Sequence, residues 1–300
     1  MKKRLMTTIA LGAVALLGLT ACSAGAGAGS DSASSNGDKG DITIGVFNGW
    51  PEGEAASYLW KSILEDKGYN VELKGADAGP VFAGLSTGDY DLALDGWLPT
   101  THAKYMEKFG DKIDDLGAWN DEAALTIAVN KDAPIDSLAD LAANADKFGN
   151  RLVGIEPGAG ETGIVKDKVI PGYGLDDMKF ITSSTPAMLA ELKSAMSSGD
   201  NIAVTLWRPQ WAYDAFDIKD LKDPKGLLGH AESIHSLGSA SFAKDFPEVA
   251  TWIKDFTMES KLLFSLENVM YNNDDDIKDF TPVVDKWIKE HQDYVDGLTA

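Results

Sequence analysis

Apolar positions along the chain change their period repeatedly from residue 41 onward, which predicts short strands that alternate with helices. The first strand covers residues 42–47, and a helical pattern follows over residues 54–67. The apolar face of that helix is formed by Leu59, Trp60, Ile63 and Leu64. A second strand, a helical turn and a third strand follow at 71–73, 81–86 and 90–95. This alternation predicts an α/β protein with a largely parallel sheet covered on both faces.

Two stretches of the chain share one plan. Ser86-Thr87-Gly88-Asp89 precedes a strand that leads to Trp97-Leu98-Pro99, and Ser197-Ser198-Gly199-Asp200 precedes a strand that leads to Trp207-Arg208-Pro209. Upstream of each, a strand is followed by a glycine-containing loop and a helix start. The repeat predicts two similar α/β lobes, residues 41–128 for lobe 1 and 129–235 for lobe 2. The mostly helical remainder, residues 236–300, is expected to return and cover lobe 1.

The first 21 residues have the pattern of an export signal. Lys2, Lys3 and Arg4 precede an apolar run over residues 5–19, and Leu19-Thr20-Ala21-Cys22 resembles a bacterial lipoprotein lipobox. We expect cleavage before Cys22 and lipid attachment there, which would tether the protein outside the cytoplasm without a membrane span. Residues 22–40, rich in Ser, Gly, Ala and Asp, are expected to form a flexible tether. An ordinary signal peptide with an incidental cysteine is the alternative.

Composition and charge narrow the classes of function. With 44% hydrophobic and 25% charged residues, the chain can bury a core of ordinary size. Its 27 Lys and Arg residues against 47 Asp and Glu residues give a formal charge of -20, and such a surface repels phosphates. We therefore expect no nucleic-acid partner. Because there is one cysteine, an internal disulfide is excluded.

Two enzyme-like motifs fail in their context. Residues 84–88 match G-x-S-x-G, but a nucleophile elbow needs a strand before the serine, and here a helix precedes it. Residues 158–163 match G-x-G-x-x-G, but the next predicted strand, 179–182, ends in serines where a ribose-binding acid is required. We predict no catalytic residue, no metal site and no cofactor. Helix starts with free amides still favour an anionic group.

Three tryptophans occupy related positions. Trp50, Trp97 and Trp207 each follow a predicted strand and lie beside a proline. Ligands of open parallel sheets bind outside the carboxyl ends of the strands, so we expect these indoles to face a cleft between the lobes. Packing of the cleft edges is the alternative.

An indole-lined cleft suits a cation that has no N–H donor. A quaternary ammonium gains about 0.5 to 2 kcal/mol per ring when desolvated, whereas micromolar binding needs about 8 kcal/mol, so a second anchor is required. The helix starts at Gly53-Glu54 and at Gly158, Gly160 and Glu161 are the candidate anchors for a carboxylate. A cation cage with a carboxylate anchor describes a betaine. Which helix start holds the carboxylate stays open.

Several segments together are similar to the glycine betaine/proline betaine substrate-binding proteins of ABC transporters. They are the lipobox, Trp50-Pro51-Glu52, Gly96-Trp97-Leu98-Pro99-Thr100-Thr101-His102, Ile155-Glu156-Pro157-Gly158-Ala159-Gly160 and Trp207-Arg208-Pro209-Gln210-Trp211. The resemblance implies a two-lobed type II periplasmic-binding-protein fold with the ligand in the cleft between the lobes. It also implies delivery of a compatible solute to a permease, with Trp97 and Trp207 in the cage. Where some members have an aromatic residue, this chain has Ala159, so Trp50 is the candidate third ring.

Other functions remain open at this point. The same fold could bind choline, carnitine or another amine or amino acid, and choline differs in having no carboxylate. An exported enzyme is disfavoured by the missing catalytic spacing. A surface adhesin would not need tryptophans at two equivalent strand ends. We expect a monomer that binds a betaine-type ligand and a permease, and contacts the membrane only through the lipid on Cys22.

Overall fold

The computed structural model describes residues 39–272 and 277–300. The predicted signal peptide, the lipidation site Cys22 and nearly all of the tether lie outside the described residues. The nine strands are β1 Asp41–Phe47, β2 Asn70–Ala76, β3 Leu92–Leu98, β4 Ile113–Asn130, β5 Arg151–Gly154, β6 Lys179–Thr182, β7 Ala203–Arg208, β8 Ile218–Asp220 and β9 Glu232–Ser239.

Twelve α-helices are found in the same part of the chain. They are α1 Pro51–Asp66, α2 Ala78–Thr87, α3 Ala103–Phe109, α4 Gly160–Ile164, α5 Ile170–Tyr173, α6 Thr185–Ser198, α7 Ala212–Ala215, α8 Phe242–Asp245, α9 Pro247–Asp255, α10 Ser260–Tyr271, α11 Thr281–Glu290 and α12 Gln292–Gly297. Short 3₁₀ helices cover Gly110–Lys112, Leu138–Asp140 and Ala142–Phe148, and a π-helical turn, Val165–Val169, joins α4 to α5.

The repeat predicted from the sequence is confirmed in the topology. We call residues 41–98 the first unit and residues 151–208 the second unit. In the first unit, β1 pairs in parallel with β2 and with β3. In the second unit, β5 pairs in parallel with β6 and with β7. Each is a βαβαβ arrangement with its first strand in the middle.

Local chemistry explains why the two units match. Helices α2 and α6 both end in a left-handed glycine, Gly88 with φ 79° and Gly199 with φ 70°. A residue without a Cβ adopts this conformation at low cost and lets the chain reverse into the next strand. The following amide in each unit, of Asp89 or Asp200, closes the turn by donating to a carbonyl of the last helical turn. The repeated Gly-Asp pair therefore ends both helices in the same way.

The whole sheet is mixed, which corrects the expectation of a largely parallel one. Its order is β2-β1-β3-β9-β4-β7-β5-β6, with β8 paired to β4. Strand β9 pairs antiparallel with β3 and β4, and β4 pairs antiparallel with β7. The expectation failed because β9 crosses residue 236, from which the sequence pattern indicates mainly helix, and adds an antiparallel strand there.

Strand β4 links the two units. It pairs with β9 up to Ala123 and with β7 from Ala124, so it continues through residues 128 and 129, where the sequence pattern divides the lobes. The lobe boundaries themselves stay a prediction. The C-terminal helices α10 and α11 contact α1 of the first unit. The hydrophobic core beneath these helices includes three tryptophans that are at most 2% exposed, Trp60, Trp119 and Trp287.

Candidate functional site

A cavity of about 260 Å³ lies where the two units meet. Apolar and aromatic side chains dominate its lining, as they do in small-molecule sites generally. The described residues that line it are Trp50, Glu52, Trp97, Thr101, His102, Leu125, Ile155, Ala159, Gly160, Glu161 and Trp207. The three tryptophans singled out in the sequence thus meet at one cavity.

Trp50 lies at the start of α1, directly after β1. Its ring stacks on Phe47, with centroids 5.1 Å apart, and on the His102 ring at 5.6 Å. Its indole Nε1–H donates to Glu156 Oε2 of the second unit over 3.3 Å. That carboxylate also accepts hydrogen bonds from the backbone N–H and the hydroxyl of Thr185, over 2.7 and 3.0 Å. Trp50 is therefore held from both units and is 6% exposed.

Trp97 and Trp207 lie inside β3 and β7, near the carboxyl ends of those strands, rather than in the loops after them as predicted. Each is 3% exposed. The indole Nε1–H of Trp97 donates to Asp95 Oδ1 over 2.8 Å, whereas the indole N–H of Trp207 makes no hydrogen bond of ordinary geometry and acts instead on the Glu52 carboxyl, whose pKa it lowers. The residue two positions before each tryptophan accounts for this difference. Asp95 accepts the indole N–H of Trp97, whereas Thr205 does not accept that of Trp207.

His102 is a polar cavity residue whose protonation follows from its contacts. The backbone N–H of Trp97 donates to His102 Nδ1 over 2.9 Å, so that nitrogen carries no proton. Burial lowers the pKa of His102 to about 3, and the ring is therefore neutral with its proton on Nε2. Since Nε2 is buried and has no partner, it is an unused hydrogen-bond donor at the cavity.

Glu52 and Glu161 are the acids that line the cavity. Burial raises the pKa of Glu52 to about 7, although the indoles of Trp207 and Trp97 oppose the rise. Burial also raises the pKa of Glu161 well above its ordinary value. Burial without a cationic partner favours the protonated form of both carboxyls, and Glu52, with a pKa of about 7, is about half protonated at pH 7.

The predicted helix-start residues divide into two groups. Gly160 and Glu161 line the cavity, and a Cβ at Gly160 would lie 2.1 Å from the Thr101 carbonyl oxygen. Gly158 lies outside the lining, where its carbonyl accepts the Tyr105 hydroxyl over 2.7 Å. Gly53 and Glu54 also lie outside it: Gly53 packs against Asp95, and Glu54 accepts the Tyr271 hydroxyl over 2.5 Å. A direct ligand contact by these last three is therefore not supported.

Sequence reasoning missed the cavity roles of Glu52, Thr101 and His102. All three lie in segments that carry the resemblance, two positions after Trp50 or four and five positions after Trp97. The sequence signal that could have identified them is a polar residue shortly after a tryptophan of the expected cage.

Among residues 39–272 and 277–300, no group of three or more His, Cys, Asp or Glu side chains is arranged to hold a metal ion.

Comparison with known proteins gives consistent matches. A family model for the substrate binding domain of ABC-type glycine betaine transport system matches residues 40–290. The glycine betaine/carnitine transport binding protein GbuC of Listeria monocytogenes is 33% identical over 165 residues, which is 54% of this chain and 52% of GbuC. The match thus spans about half the length of that curated relative.

Two solved structures resemble the chain over most of its length. Lactococcal OpuAC, in its closed-liganded conformation with glycine betaine, has a TM-score of 0.80 and 27% identity, and the match covers 87% of this chain and 99% of OpuAC. ProX from Borrelia burgdorferi, a glycine/betaine/L-proline-binding protein, has a TM-score of 0.80 and 29% identity over 87% of this chain and 97% of ProX. The two-lobed α/β fold expected from the sequence is confirmed.

Proposed function

The chain belongs to the family of substrate-binding domains of ABC-type glycine betaine transport systems, and from this premise we propose that its cavity captures glycine betaine or a related quaternary ammonium solute. One observation carries the proposal. Three indoles from separate elements, Trp50, Trp97 and Trp207, line one small cavity and are at most 6% exposed.

The cage chemistry fits a cation without N–H groups. Desolvated rings attract such a cation by about 0.5 to 2 kcal/mol each, and no lysine or arginine is among the described residues that line the cavity.

In this proposal the protein works outside the cytoplasm, delivers the bound ligand to a permease and catalyses no reaction. Within the described residues, no helix is long and apolar enough to cross a membrane.

We assign the carboxylate of the ligand to the α4 side of the cavity. Gly160 and Glu161 line it there, and the Nε2–H of His102 is an unused donor. Burial raises the pKa of Glu161, which favours its uncharged form and so weakens its repulsion of an anion. The α1 start is less suited, since Pro51 has no N–H and the Glu54 amide already donates to the Trp50 carbonyl.

Calorimetric titration with glycine betaine tests the proposal. Trp97→Ala and Trp207→Ala should each weaken binding by roughly 1 to 2 kcal/mol or more, with folding preserved, because each removes one cage ring. Trp252→Ala is the matched control, since that indole lies on α9 outside the cavity lining. Unchanged affinity in both cage variants would contradict the cage.

Competition between glycine betaine and choline tests the carboxylate anchor. Replacing His102 by Phe keeps an aromatic ring and removes the Nε2–H donor. This variant should weaken glycine betaine binding by about 1 kcal/mol or more while leaving choline binding nearly unchanged, because choline has no carboxylate. Equal losses for the two ligands would remove His102 from the anchor. Choline, or carnitine, as the preferred ligand of the wild type would support the alternative.

Membrane anchoring is a separate part of the proposal. We propose that a lipid on Cys22 holds a monomer at the membrane through residues 22–40, independently of the ligand site. Cys22→Ala should release the protein from the membrane fraction of its host and leave ligand affinity unchanged. Retention in that fraction after signal processing would contradict the lipid anchor.

A further inference from the structure

Four buried carboxyl groups gather beside and behind the cage. Glu52 on α1, Asp95 on β3, Glu161 on α4 and Glu267 on α10 are at most 2% exposed. Six of their eight oxygens have no hydrogen-bond partner, namely Glu52 Oε2, Asp95 Oδ2 and both oxygens of Glu161 and Glu267. Their negative charges would be costly in a dry interior, so the group needs either protons or a cation.

The surroundings of Glu52 come from several elements. Asp95 and Glu267 face it from β3 and α10, and Glu161 faces it from α4 across the cavity. Tyr271 of α10 also faces it, and on α1 itself Glu54 is bound by the Tyr271 hydroxyl. The neutral ring of His102 shares the cavity lining. None of these groups is a cation at pH 7.

Glu52 and Glu161 line the cavity together with the three indoles, whereas Asp95 and Glu267 do not. Of these two acids, Glu52 is the one on whose carboxyl the indoles of Trp207 and Trp97 act. Its pKa of about 7 makes its proton exchangeable near neutral pH, while burial raises the pKa of Asp95, Glu161 and Glu267 well above their ordinary values. A cation placed among the indoles would therefore act on the proton of Glu52 first.

We propose that Glu52 gives up its proton when the cage takes up a quaternary ammonium group, so that ligand capture is coupled to proton release. The O–H bond of the carboxylic acid breaks, the proton passes to water, and the carboxylate becomes the counter-ion of the bound cation. No other bond forms or breaks. The inference rests on the proposed function, because it requires a quaternary ammonium in the cage.

The test is the affinity for glycine betaine as a function of pH, since the charge of this ligand is constant near neutrality. Wild-type affinity should fall about tenfold between pH 8 and pH 6, because the proton competes with the cation. Glu52→Gln should show no such dependence and should bind about as weakly at both pH values as the wild type does at pH 6. The control Glu122→Gln, at an exposed position, should behave like the wild type.

A second measurement does not depend on the folding of any variant. Titrations of the wild type near pH 6.5, in two buffers with different enthalpies of ionisation, count the protons released on binding. We expect between about one half and one proton per ligand. For the first measurement, circular dichroism of Glu52→Gln before its titration shows whether that variant is folded.

The contradicting results are distinct. Affinity that does not change with pH, with no proton released, overturns this inference alone. The same pH dependence in folded Glu52→Gln overturns the assignment to Glu52. Absence of binding at every pH overturns the proposed function and this inference with it.

Discussion

The first and second units have the same topology but surround their matching tryptophans with different polar residues. Both place a tryptophan near the end of the third strand of the unit, Trp97 in β3 and Trp207 in β7. Two positions earlier, the first unit has Asp95, which accepts the Trp97 indole N–H, and the second has Thr205. Trp207 Nε1 and Thr205 Oγ1 are both buried and make no hydrogen bond of ordinary geometry. One ring is thus held by a hydrogen bond to the residue two positions earlier in its strand, and its counterpart has no such bond.

The starts of helices α1 and α4 also differ between the two units. Helix α1 begins with Pro51 and brings the carboxyl of Glu52 to the cavity, where it faces Trp97 and Trp207. Helix α4 begins with Gly160, whose missing side chain allows the close approach of Thr101. A repeated scaffold therefore supplies matching rings, while the residues around the rings differ, and in the proposed function these unmatched residues meet the cationic and the anionic end of the ligand.

The largest expected effect comes from adding a side chain at Gly160. In Gly160→Ala the new Cβ would lie 2.1 Å from the Thr101 carbonyl oxygen, so the start of α4 must move away from the first unit. Glycine betaine affinity should fall at least a hundredfold, about 2.7 kcal/mol, in a calorimetric titration. Gly163→Ala is the control on the same helix, since its nearest neighbour, Lys104 Nζ, is 4.0 Å away. Equal affinities of the two variants would show that the contact is not needed.

A second expected effect concerns the stability of the ligand-free protein. The pKa of Glu52, about 7, lies above its ordinary value, so the folded state holds protons that the unfolded chain lacks. The free energy of unfolding should therefore rise as pH falls from 8 to 6.5, by about 1.4 kcal/mol per pH unit for each such proton. Below pH 6.5 the lowered pKa of His102 acts in the opposite direction, because the unfolded chain then gains a proton that the folded ring does not.

Urea unfolding at the two pH values checks this expectation. Glu267→Gln should be more stable than the wild type at pH 8 and should show a smaller gain toward pH 6.5, since it removes one of the buried acids. A wild-type stability that falls from pH 8 to 6.5 would contradict the account of the buried acids.

The smallest expected effect separates the two rings directly. Trp97→Phe leaves Asp95 Oδ1 without its donor and should cost about 1 kcal/mol more in stability than Trp207→Phe, which removes an indole N–H that makes no hydrogen bond of ordinary geometry. Thermal unfolding of the two ligand-free variants measures the difference. Equal losses would mean that the bond to Asp95 adds nothing to the fixing of the ring.

Local signals in the sequence predicted the parts of the fold that depend on local chemistry. The Gly88-Asp89 and Gly199-Asp200 helix ends and the tryptophans near the strand ends follow from such signals. The insertion of β9 between β3 and β4 depends on pairing between segments more than 100 residues apart, and no local period encodes it. Of the four buried acids, sequence reasoning named Glu161 and missed the other three for the same reason, since Glu52, Asp95 and Glu267 come together only in the folded chain.

The central claim is that three indoles recognise the methylated ammonium group, and one pair of titrations tests it most directly. Glycine betaine and glycine have the same carboxylate and differ only in the three methyl groups on nitrogen. The account predicts saturable binding of glycine betaine and at least a hundredfold weaker binding of glycine, because only the methylated cation is free of N–H groups that lose water in the cage. Affinities for the two ligands within a fewfold of each other would contradict it.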